Sequence, residues 1–400
     1  MPRRILYLNP SAHLGGAERS LVSLLEALDR NQYQPLAALG HPGLLQNELQ
    51  RLKVPCEVWP FPDAVLRYSR FHRNSIRARA QAGWQLPGFL LRTRALARKL
   101  RPLHLLHANG IKSHLQAAWL SATLAPRPLL LWHAHDFPPA GEAGWLLAAA
   151  ARRADLVIAN SQAVAQAWLA RIPSLAGRVE VVHNGINLRI FAGGNGPAFR
   201  ARHRLWPQAP LVGMVGILAP WKGQEIFLQA ARRVLDARPE VRFLLVGDDV
   251  YDTSGHGGRR QMLESLAADL GLGEAIRFTG FLDAEMADAY AALDLAVHAS
   301  TRPEPFGMVI IEAMAAGAPV VAAAAGGVLE IIRPGENGWL TPPGDAAGLA
   351  QAILKLLADD NLRMRLSRQA RADASRNFSM DVYAAKMQSI YDKLVSGIQA

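Results

Sequence analysis

Two carboxylates flank a turn in the segment Arg302-Pro303-Glu304-Pro305-Phe306-Gly307-Met308-Val309-Ile310-Ile311-Glu312-Ala313-Met314-Ala315-Ala316-Gly317-Ala318-Pro319. Pro305 and Gly307 mark the turn, Met308 to Ala316 reads as a helix, Gly317 suits its C-terminal cap and Pro319 prevents continuation. Glu304 then stands on the loop before the helix, and Glu312 lies inside it. Backbone N–H groups at the start of this helix, from Phe306 through Gly307, Met308 and Val309, lack intrahelical acceptors and can hold a diphosphate. Beside such an anion one carboxylate can accept hydrogen bonds from a sugar and the other from two ribose hydroxyls. The plainer alternative is a pair of solvated charges favoured by the helix dipole.

Other residues have chemistry of the same kind. Lys222, in Trp221-Lys222-Gly223, follows a strand and precedes a helix, where a lysine is either a surface charge or a phosphate partner. Asn9 to Gly16 forms a loop before the first helix, and Gly15-Gly16 either lets a phosphate approach the backbone or makes a plain tight turn. Trp132-His133-Ala134-His135-Asp136 ends another strand; His133 and His135, two apart, share a face if the strand persists. A His-x-His pair can ligate zinc, but no third ligand has suitable spacing. His107 and Asn109, after the preceding strand, either face an acceptor or serve as structural caps.

These residues must be positioned by an alternation of short β-branched or leucine-rich runs with helix-like stretches, the pattern of parallel sheets with crossover helices. The strands expected in the first half are 5–8, 35–39, 103–107, 129–133, 156–159 and 179–183, with helices such as 17–28 and 161–170 between them. From Asn184 to Pro210 glycines and prolines accumulate, which reads as a linker. A second series follows at 211–217, 241–246, 276–279, 295–299 and 320–323. Val382, Met387, Ile390, Tyr391 and Leu394 then have helical apolar spacing. A chain of 400 residues is also longer than one core usually serves. The expected organisation is 1–186 as an N-terminal acceptor domain, 187–378 as a C-terminal donor domain, and 379–400 as a helix packing back on the first.

Half the residues are hydrophobic and 19% are charged, a globular balance. Cys56 is the single cysteine, which excludes an intrachain disulfide and an all-cysteine metal site. The apolar start at Ile5 to Leu8 is too short for a signal peptide, and the run from Ala318 to Leu329 falls short of a membrane span. The expected location is cytoplasmic, with peripheral attachment to the inner face of a membrane as an option. Net charge is +11, and ten of the basic residues lie between Val65 and Arg101 without one Asp or Glu, leaving 34 basic against 33 acidic residues elsewhere. Leu66, Tyr68, Phe71, Trp84, Phe89 and Leu91 are interleaved with these cations, a mixture suited to an anionic membrane surface. The charge has no nucleic-acid recognition motif with it, so no nucleic-acid partner is expected. No Gly-x-Gly-x-x-Gly follows the first strand, which argues against a dinucleotide-dependent oxidoreductase.

The segment from Glu304 to Glu312 resembles the E-x7-E motif of family-4 retaining glycosyltransferases. The resemblance extends in order through Gly15-Gly16-Ala17-Glu18, Asp155 to Ser161, Asn184-Gly185-Ile186, Trp221-Lys222-Gly223, Gly326-Gly327 with Glu330, and Asn337-Gly338. It implies the α/β fold called GT-B: two Rossmann-like doubly wound domains facing an interdomain cleft. It also implies roles. Glu304 contacts the transferred sugar, Glu312 holds the donor ribose, Lys222 neutralises the diphosphate, Gly16 meets the donor phosphate, and His135, with His133 as fallback, touches the donor sugar. An arginine usually found within Gly-Arg-Leu is replaced here by Ile217, which raises the question of reduced activity. Retention, a nucleotide-sugar donor, and a glycan or lipid-linked acceptor from polysaccharide or cell-envelope synthesis follow from the family alone. No Asp-x-Asp occurs, and neither a metal nor a cofactor is expected. The competing expectations are a sugar-nucleotide epimerase or phosphorylase of the same fold, or a catalytically weakened membrane-associated scaffold.

Overall fold

The computed structural model describes residues 2–62, 76–139, 143–249, 258–282 and 284–396, with side chains 76–82 and 143–144 outside the description. The chain divides into two compact units, Met1–Gly185 with Met380–Ala400, and Ile186–Ser379.

The first unit is built on a parallel sheet of seven strands: β1 (Arg3–Asn9), β2 (Tyr33–Leu39), β3 (Cys56–Val58), β4 (Leu105–Asn109), β5 (Leu129–Ala134), β6 (Leu156–Ala159) and β7 (Val179–Val181), in the order β3-β2-β1-β4-β5-β6-β7. Chain order reverses between β1 and β4, which are direct neighbours. Open α/β sheets bind ligands at the carboxyl ends of strands beside such a switch. The central strands are apolar on both faces because helices cover both. One face packs against helices Ile76–Lys99, Ile111–Thr123, Ala143–Ala151 and Gln162–Arg171. The other packs against helices Gly16–Ala27 and Leu44–Arg51 and the final helix Met380–Ser396. That last helix buries Tyr383, Ala384, Met387, Ile390 and Tyr391, one stripe at i, i+3/i+4 spacing, among Ile5, Tyr7, Leu21 and Leu24.

The second unit has six parallel strands, β8 (Leu211–Val215), β9 (Arg242–Val246), β10 (Ile276–Gly280), β11 (Leu295–His298), β12 (Val320–Ala323) and β13 (Trp339–Thr341), ordered β10-β9-β8-β11-β12-β13. Its switch lies between β8 and β11. Helix Met308–Ala316 follows β11 and is buried continuously from Ile310 to Ala316, as a helix apolar on every face but for Glu312 requires. Gly307 at φ +119° starts it and Gly317 at φ +84° ends it, both in a backbone region that only glycine enters cheaply.

The stretch expected to be a linker is instead folded. Residues 186–210 contain helices Leu188–Ala192 and Gly196–Arg202, capped by Asn187 and Asn195, whose side chains accept from the backbone N–H of Arg189 and Ala198. Pro197 occupies the first helical turn, where its missing N–H costs nothing. Gly194 and Gly196 lie so close to helix Met286–Ala291 that an added Cβ would stand 2.2 and 2.3 Å from the carbonyl oxygens of Ala287 and Ala291. The glycines and the proline here make close packing and helix starts.

Gly223, which opens helix Gln224–Ala237, is constrained more severely. Its φ is +79°, and an added Cβ would meet the Ala299 carbonyl oxygen at 1.9 Å. Gly223→Ala should therefore destabilise the protein by at least the roughly 1 to 3 kcal/mol typical of a strained backbone position. A drop in the thermal unfolding midpoint checks this; an unchanged midpoint would show that the loop after β8 yields freely.

Candidate active site

In the second unit, the loops after the two switch strands meet. Lys222 ends the short 3-10 turn Pro220–Lys222 after β8, and Glu304 stands on the loop after β11. The Lys222 ammonium donates to both carboxylate oxygens of Glu304, at 2.9 Å to Oε1 and 2.8 Å to Oε2. Ser300 Oγ donates to Glu304 Oε2 at 3.0 Å, and His298 Nε2 lies 3.2 Å from the same oxygen. The Glu304 side chain is only 14% exposed. Burial pushes its pKa up, but Lys222 and His298 together outweigh burial and hold the carboxyl well below the usual carboxylate range. Backbone contacts fix the loops: Thr301 N–H donates to the Trp221 carbonyl at 2.8 Å, and Gly327 N–H donates to the Glu304 carbonyl at 2.8 Å. A Cβ on Gly326 would stand 2.2 Å from that Glu304 oxygen, so the glycine pair keeps Glu304 in place.

Glu312 is also buried, at 8% exposure, and accepts from the Tyr290 hydroxyl at 2.9 Å. The reading of Glu304 and Glu312 as solvated charges is thereby excluded. Met308 and Val309 are partly exposed at the first turn of their helix, while the Phe306 ring packs in the core against Phe378. Asn337 serves the fold: it bonds Arg333 N, the Ile331 carbonyl and Asp373. The backbone carbonyl of Ile217 accepts from Gln224, and Arg302 lies exposed, with no ion pair among the described residues.

In the first unit the candidate residues occupy the carboxyl ends of β1, β4 and β5. Gly16 is the first residue of its helix, and Glu18 folds back so that Oε2 accepts from Gly15 N–H at 3.2 Å. His135, just past β5, bonds through Nε2 to Asn109 Oδ1 at 2.6 Å. His133 stacks beside it with ring centroids 3.9 Å apart and bonds through Nδ1 to His107 Nε2 at 3.2 Å. Burial, and secondarily the neighbouring His114, hold His135 down at about 3, so the ring is neutral. His107 and Asn109 are 0% and 2% exposed. Neither offers an acceptor-facing side chain or a helix cap: His107 lies between Tyr391 and His133, and Asn109 between Asn9 and His135. Gly110, not Asn109, caps the helix that follows.

His298, Ser300 and Tyr290 were not singled out from the sequence. The i, i+2 spacing of His298 and Ser300 before Glu304 is a one-face strand pattern that points at Glu304 once β11 is known to end there.

Two doubly wound units, one with a lysine–carboxylate pair at its switch and the other with a glycine loop beside a buried histidine cluster, define the GT-B class of glycosyltransferases. Residues 14–190 match the model for Glycosyltransferase Family 4 and residues 197–373 the model for Glycosyl transferases group 1. The chain is 30% identical to Anabaena HepE, solved in complex with UDP and glucose, with a TM-score of 0.82 over 97% of this chain and 99% of that one. Sucrose-phosphate synthase from Thermosynechococcus elongatus is 26% identical with a TM-score of 0.78, covering 99% and 100%. A D-inositol 3-phosphate glycosyltransferase from Streptomyces bingchenggensis is 36% identical over 247 residues, 61% of this chain. That match spans about half, 54%, of the curated relative's length. This chain belongs to glycosyltransferase family 4.

Proposed function

We propose that this protein is a retaining, metal-independent glycosyltransferase that moves a sugar from a nucleotide-sugar donor, a UDP-sugar in the first instance, to an acceptor hydroxyl. The observation that carries this reading is the Lys222–Glu304 pair at the β8/β11 switch, beside the N-terminus of helix Met308–Ala316. On donor binding the diphosphate takes the Lys222 ammonium and the free N–H groups of Met308 and Val309. Glu304, still held by His298 and Ser300, accepts from a sugar hydroxyl, and Glu312 accepts from the ribose; the family resemblance assigns donor contacts to Gly16 and His135 as well. The acceptor hydroxyl attacks the anomeric carbon on the face from which the diphosphate leaves. Its proton passes to that leaving group, so no side-chain nucleophile is required. Catalysis is then electrostatic stabilisation of the departing diphosphate and orientation of two substrates. HepE was solved with UDP, which supports uridine as the base.

Thermal shift with UDP, GDP and ADP tests the donor reading, because a ligand at about 100 times its Kd stabilises the fold by about 2.7 kcal/mol. UDP should raise the unfolding midpoint by several degrees. If none of the three nucleotides moves it, the donor site is misassigned.

We further propose a glycan or lipid-linked glycan acceptor and reversible docking on an anionic bilayer. No described helix is long and apolar enough to cross a membrane, and the docking proposed is peripheral. Trp84 is 87% exposed and Leu91 59% on helix Ile76–Lys99, and Trp145 is 66% exposed on helix Ala143–Ala151, which covers the same sheet face. Exposed Arg92, Arg98, Lys99, Arg152 and Arg153 lie on or directly after these helices. Residues 65–75, which include Arg67, Arg70 and Arg73, lie outside the described residues, as do the side chains of Arg77 and Arg79. Each cation near such a surface contributes about 1 kcal/mol, and salt screens it. The protein should sediment with anionic vesicles at low salt and less at high salt, and replacing Arg70, Arg73, Arg77 and Arg79 with Ser should remove most binding. Indifference to anionic vesicles at low salt would point to a soluble acceptor.

A further inference from the structure

A line of hydrogen-bonded polar side chains, buried at Asn9 and Asn109 and half-buried at Glu18 and His135, runs across the carboxyl ends of β1, β4 and β5 from the glycine loop. Gly15 N–H donates to Glu18 Oε2 at 3.2 Å, and Asn9 Nδ2 donates to Glu18 Oε1 at 3.2 Å. Asn109 Nδ2 donates to Asn9 Oδ1 at 2.7 Å, and Asn109 Oδ1 lies 2.6 Å from His135 Nε2. Asn9 and Asn109 are 1% and 2% exposed.

The direction of this chain is fixed at one end. Asn9 also bonds the carbonyl oxygen of Ser11, and a backbone carbonyl can only accept. The Asn9 atom that faces it must be the amide nitrogen, so Asn9 Oδ1 is the acceptor for Asn109. Asn109 must then present its NH2 group to Asn9 and its oxygen to His135. An oxygen there requires a proton on His135 Nε2. In a neutral imidazole the other nitrogen is a bare lone pair. His135 Nδ1 is buried and has no hydrogen-bond partner.

We propose that Glu18, Asn9 and Asn109 are positioning residues that hold His135 as the Nε2–H tautomer, with an acceptor at Nδ1, and tie that ring to the Gly15 loop. Through this relay, a residue that never touches the ring sets its tautomer: Nε2–H is committed to Asn109, and Nδ1 is left as a lone pair that could accept only from a donor admitted by movement of the surrounding side chains. The consequence for turnover rests on the donor reading above; the tautomer itself does not.

Asn9→Ala tests the relay, because it leaves the Asn109–His135 pair in place but frees the Asn109 amide to turn over. Nitrogen-15 NMR of histidine-labelled protein reads the tautomer without any donor. Wild type should show His135 protonated at Nε2 alone; Asn9→Ala and Asn109→Leu should show a mixture, and Asn109→Asp, which keeps an acceptor, should restore Nε2–H. With a turned-over donor, kcat of Asn9→Ala should fall about tenfold while the donor KM stays within about threefold, the low end of the cost of losing an orienting outer partner. A wild-type ring protonated at Nδ1 would overturn the proposal. So would an Asn9→Ala protein that keeps both the single tautomer and kcat. If wild type turns over no nucleotide sugar, the donor reading fails while the NMR result still decides the relay. Asn9→Ser, a smaller change, serves the same comparison if Asn9→Ala does not fold.

Discussion

Lys222→Ala should reduce sugar transfer by at least about 10²-fold, the loss typical when a transition state is deprived of one charge partner. The size of the effect follows from what the residue faces. Lys222 is 20% exposed and donates to both oxygens of Glu304, so it is already held at the head of the helix that would receive the diphosphate. With Ile217 where the family usually has an arginine, the proposed site has one cation fewer for the leaving group's charge, and the loss on removing Lys222 should be larger for it. The same argument predicts that a chelator leaves the wild-type rate nearly unchanged. A strict requirement for added magnesium or manganese, or a Lys222→Ala protein of near-normal rate, would defeat this mechanism. The thermal midpoint of the variant separates folding from catalysis, because Glu304 keeps His298 and Ser300 as partners when the lysine is gone.

Glu304→Gln and Glu312→Gln should fail in different ways. Under the proposed function Glu304 meets the sugar while charge develops on it, so its amide should lower kcat by about 10²-fold or more with donor affinity little changed. Glu312 accepts from Tyr290 inside the helix and is assigned the ribose, which does not react. Its amide should weaken donor binding by roughly 10- to 100-fold, equivalent to the 1.5 to 3 kcal/mol of a hydrogen bond to a charged group, and leave kcat nearly intact. Steady-state kinetics over donor concentration resolves the two. Equal and small effects from both substitutions would mean that neither carboxylate meets the donor.

The helix Met308–Ala316 and its two flanking glycines were legible because every local signal agreed: turn residues, an apolar run, a capping glycine and a proline stop. Both sheets were anticipated as parallel from alternation alone, but β3 and β13 were missed. Each is three residues long at a sheet edge, too short for a periodic signal. The segment 186–210 was misread because glycine and proline mark helix starts and close helix contacts as readily as linkers. Lys222 and Glu304 were each recognisable, yet their pairing was not. It depends on β11 lying beside β8, with β9 and β10 in between along the chain but on the far side in space. His107 and Asn109 were placed at the right strand end and given the wrong surroundings, since only the adjacency of β1, β4 and β5 puts Asn9 and His133 against them.

Release of the nucleoside diphosphate from UDP-, GDP- and ADP-sugars in a chelating buffer, with and without hydroxyl acceptors ranging from free hexoses to lipid-linked saccharides, tests the central claim most directly. The account predicts that at least one acceptor accelerates release by the wild-type protein, that the sugar is recovered covalently on that acceptor with the donor's anomeric configuration, and that Glu304→Gln abolishes both. Recovery of the sugar only as free hexose or as an epimer, or saturable donor binding with no transfer to any acceptor, would contradict it.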